Sequence, residues 1–96
     1  MTKFLITYDN KAPRDYRKLY QLMASWRAVR LAESVWLAEL RGPAGIVRNC
    51  VQNALQRDDV VAVIELKPGS DWATNHVHPA ASDWLANNVM PRQRAA

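Results

Sequence analysis

Arg27-Ala28-Val29-Arg30-Leu31-Ala32-Glu33-Ser34-Val35-Trp36-Leu37-Ala38-Glu39-Leu40 contains neither Gly nor Pro and is dense in Val, Leu and Trp, a composition that suits a pleated, half-buried surface. Fourteen residues are too many for one strand in a chain of 96, because strands usually run to about 5 or 6 residues. The polar pair Glu33-Ser34 near the middle therefore reads as a turn joining two strands. A hairpin in the middle of so short a chain leaves room for only a few other elements, and their order decides the fold.

On the N-terminal side, Phe4 to Tyr8 is a mostly β-favouring run that stops at Asp9-Asn10, the pattern of a buried strand closed by a turn. Pro13 suits the first turn of a helix. After it, Tyr16, Leu19, Tyr20, Met23 and Ala24 recur at i, i+3, i+4, i+7 and i+8, which predicts an amphipathic helix. Its polar face carries Arg14, Arg17, Lys18 and Gln21. On the C-terminal side, Gly42-Pro43 breaks the hairpin pattern, and Ile46, Val47, Cys50, Val51, Ala54 and Leu55 predict a second amphipathic helix ending at Arg57-Asp58-Asp59. Val60 to Leu66 is a β-branched run closed by Lys67-Pro68-Gly69-Ser70, an interior strand by composition.

The order strand, helix, strand, strand, helix, strand is the split βαβ pattern of the ferredoxin-like α+β fold: two helices on one face of an antiparallel sheet. The reading divides the chain into a ferredoxin-like core, residues 1–70, and a C-terminal extension, residues 71–96. The sheet's second face needs a cover, because an apolar sheet left bare exposes a large patch. Residues 71–96, or a second copy of the chain, must supply it. In that extension Trp72, Ala81, Trp84, Leu85 and Val89 predict a short third helix over roughly residues 80–89, stopped by Pro91.

Composition narrows the functional classes. With 49% hydrophobic and 23% charged residues, 3 Gly and 5 Pro, the chain has the material for a core and lacks the signature of disorder. A net charge of +4, with nine of the thirteen cations being Arg, permits a polyanionic partner and favours bidentate phosphate contacts. The single Cys50 excludes an internal disulfide and a multi-cysteine zinc site. No apolar run approaches the ~20 residues of a membrane span, and the first residues lack the layout of a secretory signal. A cytoplasmic protein with no membrane partner is the expectation.

Tyr8-Asp9 at the end of the first strand, the helix Tyr16-Arg17-Lys18-Leu19-Tyr20-Gln21-Leu22, and Ser34-Val35-Trp36 in the hairpin together resemble the small CRISPR-associated endoribonuclease family. Asp71-Trp72-Ala73 after the last core strand makes the chain look most like the SinR-like relatives of that family. The resemblance covers residues 3–74. It implies a ferredoxin-like homodimer whose C-terminal segments pack across the subunit boundary and whose sheets face each other. It also implies basic surfaces that bind nucleic acid, and an Asp, here Asp9, tied to Mg²⁺- or Mn²⁺-dependent nuclease activity near its symmetry mate. Other members are non-catalytic scaffolds bound to a DNA integrase, and the VapD-type toxin ribonucleases share the fold. This chain has Asn10 and Lys11 where many nuclease members carry further acids.

Asp9 is the leading candidate for catalysis and for metal binding, because a carboxylate at a strand end can hold Mg²⁺ or Mn²⁺ with mostly water ligands, and a dimer doubles the charge. The competing reading is that Asp9 initiates the turn with Asn10. Lys11, Arg14, Arg17 and Lys18 cluster beside it in sequence, with Arg27 and Arg30 further on. They read either as a sequence-nonspecific track for a phosphate backbone or as an ordinary solvated face. His76 and His78, with Asp71 near in sequence, offer a conceivable metal pair or simply border a turn before Pro79. Cys50 falls on the apolar stripe of the second helix, where a buried structural thiol is expected. Two functions compete: a nucleic-acid-associated homodimer, metal-dependent endonuclease included, and a non-catalytic scaffold that docks a protein partner on its sheet face or C-terminal helix.

Overall fold

The computed structural model describes residues 1–9 and 15–89. Seven elements follow one another: β1 (Thr2–Asp9), α1 (Arg17–Ser25), β2 (Val29–Ala32), β3 (Val35–Leu40), α2 (Ala44–Asn53), β4 (Val60–Leu66) and α3 (Pro79–Asn88). The four strands form one antiparallel sheet in the order β2-β3-β1-β4. This is the ferredoxin-like βαββαβ arrangement with an extra C-terminal helix. Pro13, Lys11 and Arg14 lie outside the described residues.

The two-residue period of a strand sorts side chains onto two faces. Phe4, Ile6 and Tyr8 of β1 point to the α1/α2 side, where they join Leu19 and Met23 of α1, Val47 and Val51 of α2, and Ala38 and Leu40 of β3 in the main core. On the other side Leu37 packs with Ala81, Leu85 and Val89, and with the half-buried Leu5, Val29, Leu31, Leu66, Trp72, Val77 and Trp84. The extension therefore does bury part of the second face. Its helix lies over β2 and β3, and β4 at the far edge stays partly bare, with Val60 and Ile64 each about half exposed.

Local chemistry sets the boundaries. Residues Glu33 and Ser34 form the β2–β3 turn, as the polar pair predicts. At the end of α1, Ala28 N–H donates to Met23 O and Arg27 N–H to Ala24 O, with Arg27 at φ 57. That is a Schellman cap with Arg in the left-handed position usually held by Gly. At the start of α3, His78 Nδ1 accepts from Ala80 N–H at 3.0 Å, and Pro79 occupies the first helical position, the arrangement of an N-cap followed by a residue without a donor. Gly69, at φ 88, turns the chain out of β4 and donates its N–H to Val89 O, tying that turn to the end of α3.

Two side chains differ from the sequence expectation. Cys50 is exposed rather than buried, and Ile46 one turn before it is 55% exposed. The helix α2 presents a narrow line to the sheet, Val47 and Val51 buried with Ala44 packed beside them. Ile46 and Cys50 precede those positions by one residue each, so they swing outward beside Trp26 and Arg41.

Candidate nucleic-acid interface

The end of the sheet where β1 finishes gathers most of the described candidate residues. The chain leaves β1 at Asp9 and re-enters at Asp15, so α1 begins at the same end, and the Tyr16 ring lies 6.0 Å from that of Tyr8. From there an aromatic row climbs out of the core. Tyr16 stacks on Tyr20 at 5.7 Å, and Tyr20 lies 6.2 Å from Trp36. Tyr8, at the base of the row, is 4% exposed, whereas Tyr20 is 41% exposed.

Arg30 closes the row. Its guanidinium lies 5.2 Å from the Tyr20 ring centroid and 5.1 Å from that of Trp36, within cation–π range of both. Nη2 donates to Glu33 O at 2.6 Å and to the Tyr20 hydroxyl at 3.2 Å, and Nε donates to Glu33 O at 3.2 Å. These bonds leave Nη1 without a partner among the described residues. Its bond to the Tyr20 hydroxyl, against a smaller cost of burial, holds the Arg30 guanidinium charged more firmly than usual. The Tyr8 hydroxyl accepts from Trp36 Nε1 at 3.2 Å. Burial raises the Tyr8 pKa from its ordinary value, outweighing the Trp36 bond and the nearby Arg30 charge.

A β-bulge places Arg30 there. A regular hairpin with a two-residue turn at Glu33-Ser34 pairs Leu31 with Trp36 and sends Arg30 to the opposite face. The observed register pairs Ala32 with Val35 but Arg30 with Trp36, leaving Leu31 unopposed. One extra residue in a strand reverses the faces of all those before it. Arg30 thus lands on the α1 side, and Val29 and Leu31 reach the α3 side.

Arg17 and Lys18, in the first turn of α1, are exposed. Arg17 is bound to its neighbour: its guanidinium meets Asp15 Oδ2 at 2.6 Å, and its backbone N–H donates to Asp15 Oδ1 at 2.9 Å. Those bonds hold the Asp15 carboxyl below its usual pKa and the Arg17 guanidinium above its own. Arg17, Lys18 and Gln21 line a groove of about 380 Å³ against Asn53, Leu55 and Gln56 at the end of α2. Arg27 is not part of this grouping; it caps the opposite end of α1. Lys11 and Arg14 lie outside the described residues.

Asp9 is exposed at the end of β1. Among the described residues no three His, Cys, Asp or Glu side chains come together as metal ligands. Asp9 is thus the carboxylate that one chain's described residues would offer a Mg²⁺ or Mn²⁺ ion at this strand end, with water supplying the other ligands. His78 is engaged as the α3 cap. His76, at φ 65, sits in the turn before it, lining with Arg30, Glu33 and His78 a groove of about 530 Å³ along the β2 edge. No helix among the described residues is long and apolar enough to cross a membrane.

Sequence reasoning placed Tyr20 on the buried stripe of α1 and gave Trp36 no site role. The Tyr16/Tyr20 spacing carries a signal, since i and i+4 stack on one helix face, but Arg30 joins them only through the bulge. The chain as described is a ferredoxin-like α+β domain whose second sheet face is partly capped by a C-terminal helix. Comparison with protein-family models, with curated proteins and with solved structures finds no match.

Proposed function

We propose that this domain associates with nucleic acid, as a homodimer, through the cations at the β1 exit. The observation that carries the reading is the Arg30 guanidinium, fixed on an aromatic row with one nitrogen left to donate, while Arg17 and Lys18 stand exposed in the first turn of α1, which begins at the end of the sheet where Asp9 emerges. Arg at such a position suits a phosphate oxygen, and a net charge of +4 adds long-range attraction. No base-reading element accompanies these cations, so binding should be indifferent to sequence and fall steeply with salt. The test is fluorescence anisotropy of labelled RNA and DNA across a salt series. Replacing Arg17 and Lys18 together with Gln should weaken binding and flatten the salt slope by about 1 to 2 units. An unchanged isotherm would remove α1 from the interface.

Cleavage is a separate question within this reading. A Mg²⁺ or Mn²⁺ ion would need the Asp9 carboxylates of two copies, so Asp9→Asn, which nearly preserves volume, is the discriminating variant. If the dimer is a metal-dependent nuclease, EDTA-sensitive cleavage disappears in Asp9→Asn while binding survives. Equal cleavage by both proteins, or none by either, leaves Asp9 as a turn residue.

A second reading rests on the half-exposed Val60 and Ile64 of β4. They suit a non-catalytic scaffold whose open sheet edge docks a protein. No binding to either nucleic acid at low salt would favour that reading.

A further inference from the structure

We propose that Tyr20, Arg30 and Trp36 form a stacking shelf for an unpaired base, so that the interface selects single-stranded over duplex nucleic acid. This rests on the nucleic-acid reading above and names the form of the ligand.

Three observations carry it. The aromatic row runs from a buried base at Tyr8 to a surface end at Tyr20, which is 41% exposed. Tyr20 is stacked on Tyr16 and carries Arg30 over its ring, so the row presents at the surface the exposed part of Tyr20 and the guanidinium laid on it. Arg30 extends the row: its plane is fixed by the Glu33 carbonyl and the Tyr20 hydroxyl, and it lies against two rings. Nη1, with no partner among the described residues, can still donate to a phosphate oxygen. One short patch therefore offers a π surface and a charged donor, the two groups that a nucleotide presents in complement. Arg17 and Lys18 stand exposed in the same first turns of α1, turned toward the end of α2, and add charge that attracts either form of nucleic acid.

Selectivity follows from geometry. In a duplex each base is stacked on its neighbours and its faces are closed, so the shelf meets only the backbone. A single strand can turn a base onto Tyr20 or Arg30 and gain the stacking contribution, which amounts to roughly tenfold or more in affinity per base. The cations contribute to both forms.

The experiment uses the full chain and measures anisotropy with a deoxythymidine oligomer, a uridine oligomer and the corresponding duplexes at matched salt. Wild type should favour the single strands by about tenfold. Tyr20→Leu should bring single-strand affinity down to that for duplex with little change in salt slope, since no charge is lost. Tyr20→Phe keeps the ring and should keep the preference. Equal wild-type affinity for both forms, or a preference that survives Tyr20→Leu, would overturn the shelf. In those cases the Arg17/Lys18 variant still reports whether nucleic acid is bound by charge. No binding of any oligomer at low salt would overturn the shelf and the nucleic-acid reading together. Circular dichroism confirms that each variant is folded, and should Tyr20→Leu fail to fold, Arg30→Gln, which removes the guanidinium laid on the two rings, should lower the single-strand preference, an unchanged preference overturning the shelf.

Discussion

Arg27 occupies a left-handed conformation that costs an L-residue about 1 to 2 kcal/mol and costs Gly little, yet its side chain makes no hydrogen bond or ion pair shown for the described residues. Arg27→Gly should therefore stabilise the domain, by about 1 kcal/mol or less once the extra freedom of Gly in the unfolded chain is counted. Urea denaturation checks this, and a loss of stability would mean that the Arg27 side chain contributes contacts of its own. Because Arg27 caps the far end of α1, the same variant should bind nucleic acid as wild type apart from one lost charge. Tyr8 gives a pH prediction. Its folded pKa is raised above the ordinary 10.0 by burial. The neutral phenol is thus favoured by folding, its contribution is fully present below pH 10.0, and it is lost as pH rises through the folded pKa. Tyr8→Phe should flatten the alkaline fall in stability relative to wild type, as read by melting temperature against pH. Parallel curves would show that Tyr8 ionises equally in both states.

Among the elements, α3 is the one whose position depends most on single contacts. It has no acidic residue in its first turn, and the side-chain cap is the imidazole of His78. His78→Ala should cost about 1 kcal/mol, and His78→Asp, which restores an acceptor and a favourable charge at the helix N-terminus, should recover most of it. Equal melting temperatures for wild type and His78→Ala would show that the cap contributes nothing. The helix is held at its other end by the Gly69 N–H to Val89 O bond and by Leu85, which is 5% exposed. Those contacts explain why a ten-residue helix with little amphipathic contrast forms at all: short helices are marginal alone and take most of their stability from packing.

At the scale of the whole molecule, the bare edge is the strip left open to another chain. β4 carries Val60 and Ile64 on the face that α3 leaves open, and an apolar edge strand invites pairing with another chain. If a two-fold dimer buries this strip, light scattering at micromolar concentration should give twice the 10.9 kDa chain mass. Ile64→Lys should return it to one chain while leaving the monomer folded. A wild-type mass of one chain would leave the strip to a different partner.

The order of elements was legible because each rests on local patterns: the β-favouring run Phe4 to Tyr8, the helical spacing of Leu19 and Met23, the break at Gly42-Pro43, and the β-branched run Val60–Leu66. The split at Glu33-Ser34 was legible for the same reason, since two polar residues interrupt an apolar stretch too long for one strand. These features determined a ferredoxin-like core and the need for a cover on its second face. Which side chains remain at the surface was decided by tertiary structure. Val47 and Val51 reach the sheet and Cys50 does not, because a helix shows only a narrow line to a flat neighbour. The bulge at Leu31 puts Arg30 beside Trp36, a one-residue shift whose outcome depends on how β2 must meet both α3 and α1. The candidate site is made of that shift: Arg30, Tyr20 and Trp36 are separated in the chain, and only the packing of a helix against a bulged edge strand brings them into contact.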